Sequence, residues 1–238
     1  MAKGYPWGVS RGFFFKVTYS SRARRVHVYN YGCNLRCAWC FYRLKPPIPA
    51  RRLSLGEVKE ALRRLRGLGA RQLNLLGGEP TINPELPELV SYANSLGYRV
   101  KVITNGSNRL PKGVHEANVS IKAVSDDILY KLAGCPASRI LRNFKAMYER
   151  GVRLMASTIY IPGLTDQEVI KVAEFIASID ESIPFHIIGY VPVPGAPWRK
   201  PRSEEVRRAA EAAAKLLRNV TWSNVNASDI KYDSVRVL

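Results

Sequence analysis

Short apolar runs rich in branched and aromatic residues recur along the chain, separated by longer stretches in which apolar residues return at helical spacing. The runs predict strands over Arg25 to Asn30, Gln72 to Leu76, Arg99 to Thr104, Ala117 to Lys122, Arg153 to Tyr160 and Ile183 to Ile188. A further edge strand is expected at Phe13 to Tyr19. Ser54-Leu-Gly-Glu57 and Thr165-Asp-Gln-Glu168 each fit a capping box, which places helix starts there, the first helix running to about Leu68 and the second to about Ser178. The stretch Tyr190-Val-Pro-Val-Pro-Gly-Ala-Pro-Trp-Arg-Lys-Pro201 cannot be helical and is expected to drape over the core. Beyond it Ser203 is the expected cap of a last helix. Glu204 and Glu205 suit its positive end, and Val206, Ala210, Ala213 and Leu217 form one apolar stripe.

Six strand and helix alternations require right-handed crossovers and parallel strands, so the sheet is either doubly wound or curved into part of a barrel. The polar residues choose between the two. At or near the ends of successive strands come Cys33, Cys37 and Cys40, then Gly77-Gly78-Glu79-Pro80, then Thr104-Asn105-Gly106, then Ser120 and Lys122, then Ile161-Pro162-Gly163, and last His186. A curved sheet brings groups from many strand ends to one mouth, whereas a flat sheet concentrates them at one switch point. The expected fold is therefore α/β, a six-stranded parallel partial (β/α)6 barrel over residues 25–190. Residues 1–24 form an N-terminal extension, and 191–238 a proline-rich segment and helix packed on the core.

A chain of 238 residues, 46% hydrophobic and 24% charged, suits one ordinary domain. The start Met-Ala-Lys-Gly-Tyr-Pro-Trp has no apolar leader, and Phe13-Phe14-Phe15 is cut off at Lys16, so a cytoplasmic monomer with no membrane contact is expected. The charge alters this plain picture. With 37 Lys and Arg against 19 Asp and Glu, the net value of +18 calls for an acidic partner, a protein or RNA. Basic clusters occur at Arg22/Arg24/Arg25, Arg51/Arg52, Arg63/Arg64/Arg66 and Arg199/Lys200/Arg202. A generally basic surface is the blander reading, and the presence of only two glutamines, Gln72 and Gln167, agrees with growth at high temperature.

Three of the four cysteines sit in Tyr31-Gly-Cys-Asn-Leu-Arg-Cys-Ala-Trp-Cys-Phe-Tyr42. Three thiolates can hold three irons of a [4Fe-4S] cube and leave the fourth iron open. The alternative, a zinc knuckle in a non-enzymatic basic binding module, needs a fourth ligand, and the remaining Cys135 stands alone before Pro136. Ser120 and Lys122, two apart on a short strand, share the face opposite Val119 and Ile121, so the hydroxyl and the ammonium point into the barrel, where a buried charge wants an anion.

The cysteine run, with the aromatic Trp39 before its last cysteine, resembles the cluster loop of the radical S-adenosylmethionine (SAM) superfamily. The resemblance implies a [4Fe-4S] cluster on Cys33, Cys37 and Cys40, SAM chelating the open iron, and reductive cleavage of SAM to a 5'-deoxyadenosyl radical that abstracts hydrogen. It implies an electron donor such as a ferredoxin or flavodoxin. Gly77, Gly78 and Glu79 are similar to the motif that receives the amino group of SAM. Trp39, Phe41 and Tyr42 are then expected near the adenine, and Thr104 and Asn105 near a ribose or carboxylate. The run Ile183-Pro-Phe-His-Ile-Ile-Gly189 resembles the last barrel strand of glycyl radical enzyme activases, with His186 and Lys122 matching residues that reach SAM. Activases carry Asp-Gly-Pro-Gly upstream of the cluster loop for partner recognition, where this chain has Gly8-Val-Ser-Arg-Gly-Phe13. That departure keeps RNA or a nucleotide open as the substrate beside a protein.

Anaerobically reconstituted protein is expected to hold about four irons and four sulfides per chain. Cys33→Ala, Cys37→Ala or Cys40→Ala abolishes the cluster and SAM cleavage, and Cys135→Ala does neither. Iron and sulfide analysis with visible absorbance checks this, and stoichiometric zinc without iron-sulfur charge-transfer bands refutes it.

Overall fold

The structure, a computed structural model, describes residues 13–44, 51–226, 228 and 233–238. The upstream stretch from Gly8 therefore lies outside the described residues, apart from Phe13. Nine strands form one open sheet in the order β8-β7-β6-β5-β4-β3-β2-β1-β9. Its centre is the expected parallel set: β2 (Arg25–Asn30), β3 (Gln72–Gly77), β4 (Arg99–Thr104), β5 (Glu116–Ser120), β6 (Arg153–Tyr160) and β7 (Phe185–Gly189). This is a partial barrel.

Both edges carry additions. β1 (Phe14–Ser20) pairs antiparallel with β2 and then with β9 (Val235–Arg236). On the other side β8 (Val220–Ser223), which the sequence pattern does not announce, pairs parallel to β7 and extends the barrel by one strand. These strands cover edges that would otherwise present unpaired backbone groups.

Alternation along the strands separates two faces. Val26 and Val28, Leu73 and Leu75, Val100 and Val102, Ala117 and Val119, Leu154 and Ala156, and Phe185 and Ile187 are all buried in the main core. The helices that cover them are α1 (Leu55–Gly67), α2 (Leu86–Ser95), α3 (Asp126–Ala133), α4 (Ala137–Glu149), α5 (Asp166–Ala177) and α6 (Ser203–Ala213). The opposite face is polar and half-buried. Across it Ser120 pairs with Ser157, Ser157 with His186 and His186 with Thr221, one row of polar residues over four strands.

Local signals meet mixed outcomes. Ser54 and Glu57 form the reciprocal capping box of α1. Thr165 and Glu168 do not form the second one. The Thr165 hydroxyl donates to Ile159 O at 2.8 Å and accepts from Ile161 N at 2.7 Å, while Glu168 turns to another loop. α6 begins at Ser203 with Arg202 as its cap residue, and Glu205 accepts from the Arg202 N–H at 2.7 Å. The expected regular alternation also lapses once, because no helix joins β4 to β5.

Phe144 of α4 is fully buried and meets Phe175 of α5 edge to face at 5.8 Å between ring centres. Phe144→Ala is expected to cost about 3 to 5 kcal/mol of stability, and Tyr148→Ala, at an exposed position of the same helix, well under 1 kcal/mol. Urea unfolding of the two variants checks the contrast.

Candidate functional site

The sequence-predicted site residues lie at or just beyond the carboxyl ends of their strands, except His186, the second residue of β7, which lies level with Ser157 and Thr221. The hydrogen bonds show how the strand ends are tied together. β3 ends so close to β2 that only glycine fits. Gly77 has φ of +123°, and a Cβ there would lie 2.3 Å from Asn30 O. A Cβ on Gly78 would lie 1.8 Å from Gly32 O, inside the first turn of the cysteine loop. The two glycines thus admit the backbone of that loop, where the sequence reading gave them to a ligand.

Glu79 follows and is fully buried. Its carboxylate accepts from Thr81 N at 3.1 Å, Thr81 Oγ1 at 2.6 Å, Thr104 Oγ1 at 2.7 Å and Asn105 N at 2.6 Å. Both oxygens are engaged within the protein, so the side chain bolts the end of β3 to the end of β4. Three of the four donors fall on Oε1 and only Asn105 N on Oε2. Asn30 Nδ2 donates to Glu79 O at 2.9 Å and completes the link to β2.

The cysteine loop is held from two sides. Arg36 N and Ala38 N donate to Ala133 O and Leu132 O at the end of α3, at 2.9 and 3.1 Å. Asn105 Nδ2 donates to Asn34 Oδ1 at 3.0 Å and lies 3.7 Å from Cys33 Sγ, while its Oδ1 accepts from Ser107 N. Asn34 in turn donates to Ser107 Oγ at 2.8 Å. Thr104 and Asn105 are thus also tied into the scaffold. Asn34 and Ser107 join them unannounced, since Asn and Ser in loops ordinarily signal turns.

Trp39 is 2% exposed, packed with Ile161 and Tyr190 and edge-on to Trp198 at 6.0 Å. Trp198 of the proline-rich segment thus seals the indole of the cysteine loop. Phe41 and Tyr42 lie half-buried on the short helix that follows.

β5 ends at Ser120, so Lys122 lies two residues past the strand that the sequence pattern assigned to it. The pairing nevertheless forms: Lys122 Nζ is 3.1 Å from Ser120 Oγ and 3.3 Å from Ser120 O. Lys122 is 9% exposed, and no carboxylate lies within 4 Å of it among the described residues. Its loop is anchored by Glu168 of α5, 2% exposed, which accepts from Val124 N, Ser125 N and Ser125 Oγ at 2.7, 3.0 and 2.6 Å, and from Lys171 at 2.9 Å. Burial works to raise this carboxyl, but the hydrogen bonds from Ser125, Lys171 and Val124 outweigh it and hold it at about 2.

Burial pushes the Cys33 thiol up to about 11 and raises Cys37, while the charge of Lys122 draws both the other way. Such thiols become ligands when a metal takes the proton's place. Among the described residues no three metal-ligating side chains converge on a point fit for one ion. A four-iron cube spaces its thiolates more widely than a single ion does, so three cysteines on one loop suit the cube. A closed zinc site needs a fourth ligand on the same centre. Cys135 is buried, with its thiol at 3.5 Å from Pro136 O.

The mouth of the partial barrel carries three cysteines on one loop, a buried lysine with no carboxylate partner among the described residues and a glycine-backed strand junction, a set that suits a protein working through a cysteine-held cofactor. Residues 28–176 match the Radical SAM superfamily, and the chain belongs to that family. Members bind a [4Fe-4S] cluster and SAM. The zinc-module reading is thereby overturned. A Methanocaldococcus jannaschii protein assigned by inference as a glycyl-radical enzyme activating enzyme is 26% identical over 223 residues, covering 89% of this chain and 86% of its own. Streptococcus suis SuiB, solved with SAM bound, is similar with a TM-score of 0.66 and 19% identity over 80% of this chain. The match covers 48% of SuiB, so the chain spans about half its length. A domain of pyruvate-formate lyase-activating enzyme from Bacteroides vulgatus aligns with a TM-score of 0.54 and 18% identity, over 63% of this chain and 97% of that one. No described helix is long and apolar enough to cross a membrane.

Because its folded-state carboxyl lies below the ordinary 4.5, Glu168 stabilises the fold above that pH and loses the effect as pH falls toward about 2. The contribution is on the order of 3 kcal/mol. Glu168→Gln is expected to lose it at every pH, so the stability gap between parent and variant is widest near neutrality and shrinks below pH 4. Urea unfolding at pH 7 and pH 3 checks this.

Proposed function

We propose that the chain is an activating-enzyme-like member of its superfamily, acting on a protein. When bound at Cys33, Cys37 and Cys40, the cluster and SAM supply a 5'-deoxyadenosyl radical for hydrogen abstraction. The observation that carries the reading is Lys122: a buried ammonium with no carboxylate partner among the described residues, beside the cysteine loop and bonded to Ser120, which stands on the same polar row as His186. An unpaired buried cation is costly and is relieved by an anion, and the carboxylate of SAM is one. Ser120 orients the ammonium, and Glu168 holds the loop that bears it. Glu79 serves as a brace that keeps the cysteine loop against β3 and β4, and Trp39 supports that loop from beneath. The likeness to the M. jannaschii protein along most of both chains supports a protein substrate.

The charge distribution supports an acidic partner at the cysteine end. Several of the basic clusters read from the sequence are neutralised, since Arg51 pairs with Glu57, Arg63 with Glu60, and Arg199 and Arg202 with Glu205. Others are not, and those in or next to the cysteine loop include Arg36, Arg43, Arg109, Lys131 and Arg139, all exposed with no carboxylate within 4 Å among the described residues. Arg139 donates to Asn108 Oδ1, next to Arg109. These cations suit an acidic electron donor such as a ferredoxin or flavodoxin, or an acidic substrate. RNA is the second reading, favoured by the preponderance of arginine, whose fork suits phosphate.

Lys122→Ala is expected to leave the cluster spectrum intact and to weaken SAM binding roughly ten- to a hundredfold, measured by calorimetry on anaerobic holoenzyme. Unchanged affinity refutes the assignment. For the substrate class, production of 5'-deoxyadenosine is followed at near-physiological salt with added protein fractions or added RNA. Stimulation by RNA alone overturns the activating-enzyme reading.

A further inference from the structure

His186 lies where β7 meets β8, and both of its ring nitrogens are taken. Nδ1 is 2.7 Å from Thr221 Oγ1, and Nε2 is 3.0 Å from Ser223 Oγ. The strand register explains the arrangement. His186 is paired with Thr221 and Ile188 with Ser223, so the two hydroxyls stand on the face that carries His186, one level with it and one a step closer to the mouth. A ring bridged at both nitrogens cannot flip, because a half turn puts carbon where each hydroxyl needs nitrogen. The two contacts are not equivalent. The Nδ1 contact is shorter and lies at the level of His186 itself. Nε2 points toward the carboxyl end of the sheet, where the cysteines and Lys122 are.

The strand that supplies these hydroxyls is itself held in place. Asn224, immediately after β8, donates from Nδ2 to Pro201 O at 3.0 Å and to Ser203 Oγ at 3.3 Å, which fastens the strand to the proline-rich segment and the start of α6. The side chain of Asn224 also fills the space beside Gly189 at the end of β7, where a Cβ would lie 2.4 Å from its Oδ1. Burial lowers His186 from its ordinary value, which keeps the ring neutral near pH 7, with one N–H to donate and one nitrogen to accept.

We propose that Thr221 and Ser223 divide the control of His186 between them: Thr221 is a positioning residue that anchors Nδ1, and Ser223 is a placeholder whose bond to Nε2 is given up when SAM enters. The proposal rests on the reading that SAM occupies the mouth. It makes β8, outside the six-stranded core, part of the site.

The test is SAM binding to anaerobic holoenzyme by calorimetry. His186→Ala sets the scale. Thr221→Val is expected to weaken binding about three- to tenfold, the worth of one hydrogen bond, and Thr221→Ser to restore it. In the His186→Ala background Thr221→Val is expected to add nothing, because the positioned ring is gone. Ser223→Ala leaves affinity unchanged or tighter, since no bond has to be surrendered. The proposal is overturned if Thr221→Val is neutral, if its effect persists without His186, or if Ser223→Ala weakens binding as much as Thr221→Val does. If His186→Ala itself binds SAM like the parent, the reading of the mouth fails at His186, an outcome distinct from failure of the Thr221 anchor alone.

Discussion

Backbone meets backbone where β3 ends against the chain that leaves β2, with Gly77 and Gly78 lying on Asn30 and Gly32 and no room for a Cβ. The start of the cysteine loop is thereby held against the sheet by backbone. Glu79 then extends the junction sideways by accepting from Thr104 and Asn105 on β4. Asn105 returns the connection to the loop through Asn34 and Cys33. Three strand ends and one loop form a single hydrogen-bonded unit, and the placement of the cysteines follows from it.

Around this unit the remaining parts of the mouth are supported from outside the sheet. Glu168 on α5 reaches the loop after β5, and the end of α3 accepts two amides from the cysteine loop. Residues beyond Tyr190 contribute more than cover. Trp198 closes over Trp39, and β8 supplies both partners of His186. A half-open barrel has edges to protect and an interior that a ligand must enter. Here one C-terminal segment covers an edge and furnishes part of the interior.

The charge is organised by what is left unpaired. Carboxylates neutralise arginines on and before α1 and on and before α6, while near the cysteine loop Arg43 donates to Pro194 O and Arg139 to Asn108 Oδ1. Exposed ion pairs add little stability. Their effect here is on the field, which they trim along α1 and α6, while exposed cations with no ion pair among the described residues stand at the cysteine end and elsewhere, Arg22, Arg71 and Arg153 among them.

The central strands, the order of the core and the cysteine loop were legible in the chain, because alternation and spacing are local properties that survive whatever packs against them. The inward pairing of Ser120 with Lys122 was legible for the same reason, even though the strand stops short of Lys122. What the chain could not disclose was how polar side chains are spent. Glu79, read as a ligand for an amine, is also bonded to Thr81, Thr104 and Asn105, and Thr165 with Glu168 reads as a helix cap until both are found bonded elsewhere. A carboxylate or hydroxyl offers the same chemistry to any donor within reach, and only the tertiary fold decides which donor is nearest. β8 escaped for a related reason: four residues of modest pattern become a strand because β7 offers an edge, and in doing so they bring Thr221 and Ser223 to His186 across 35 and 37 positions of sequence.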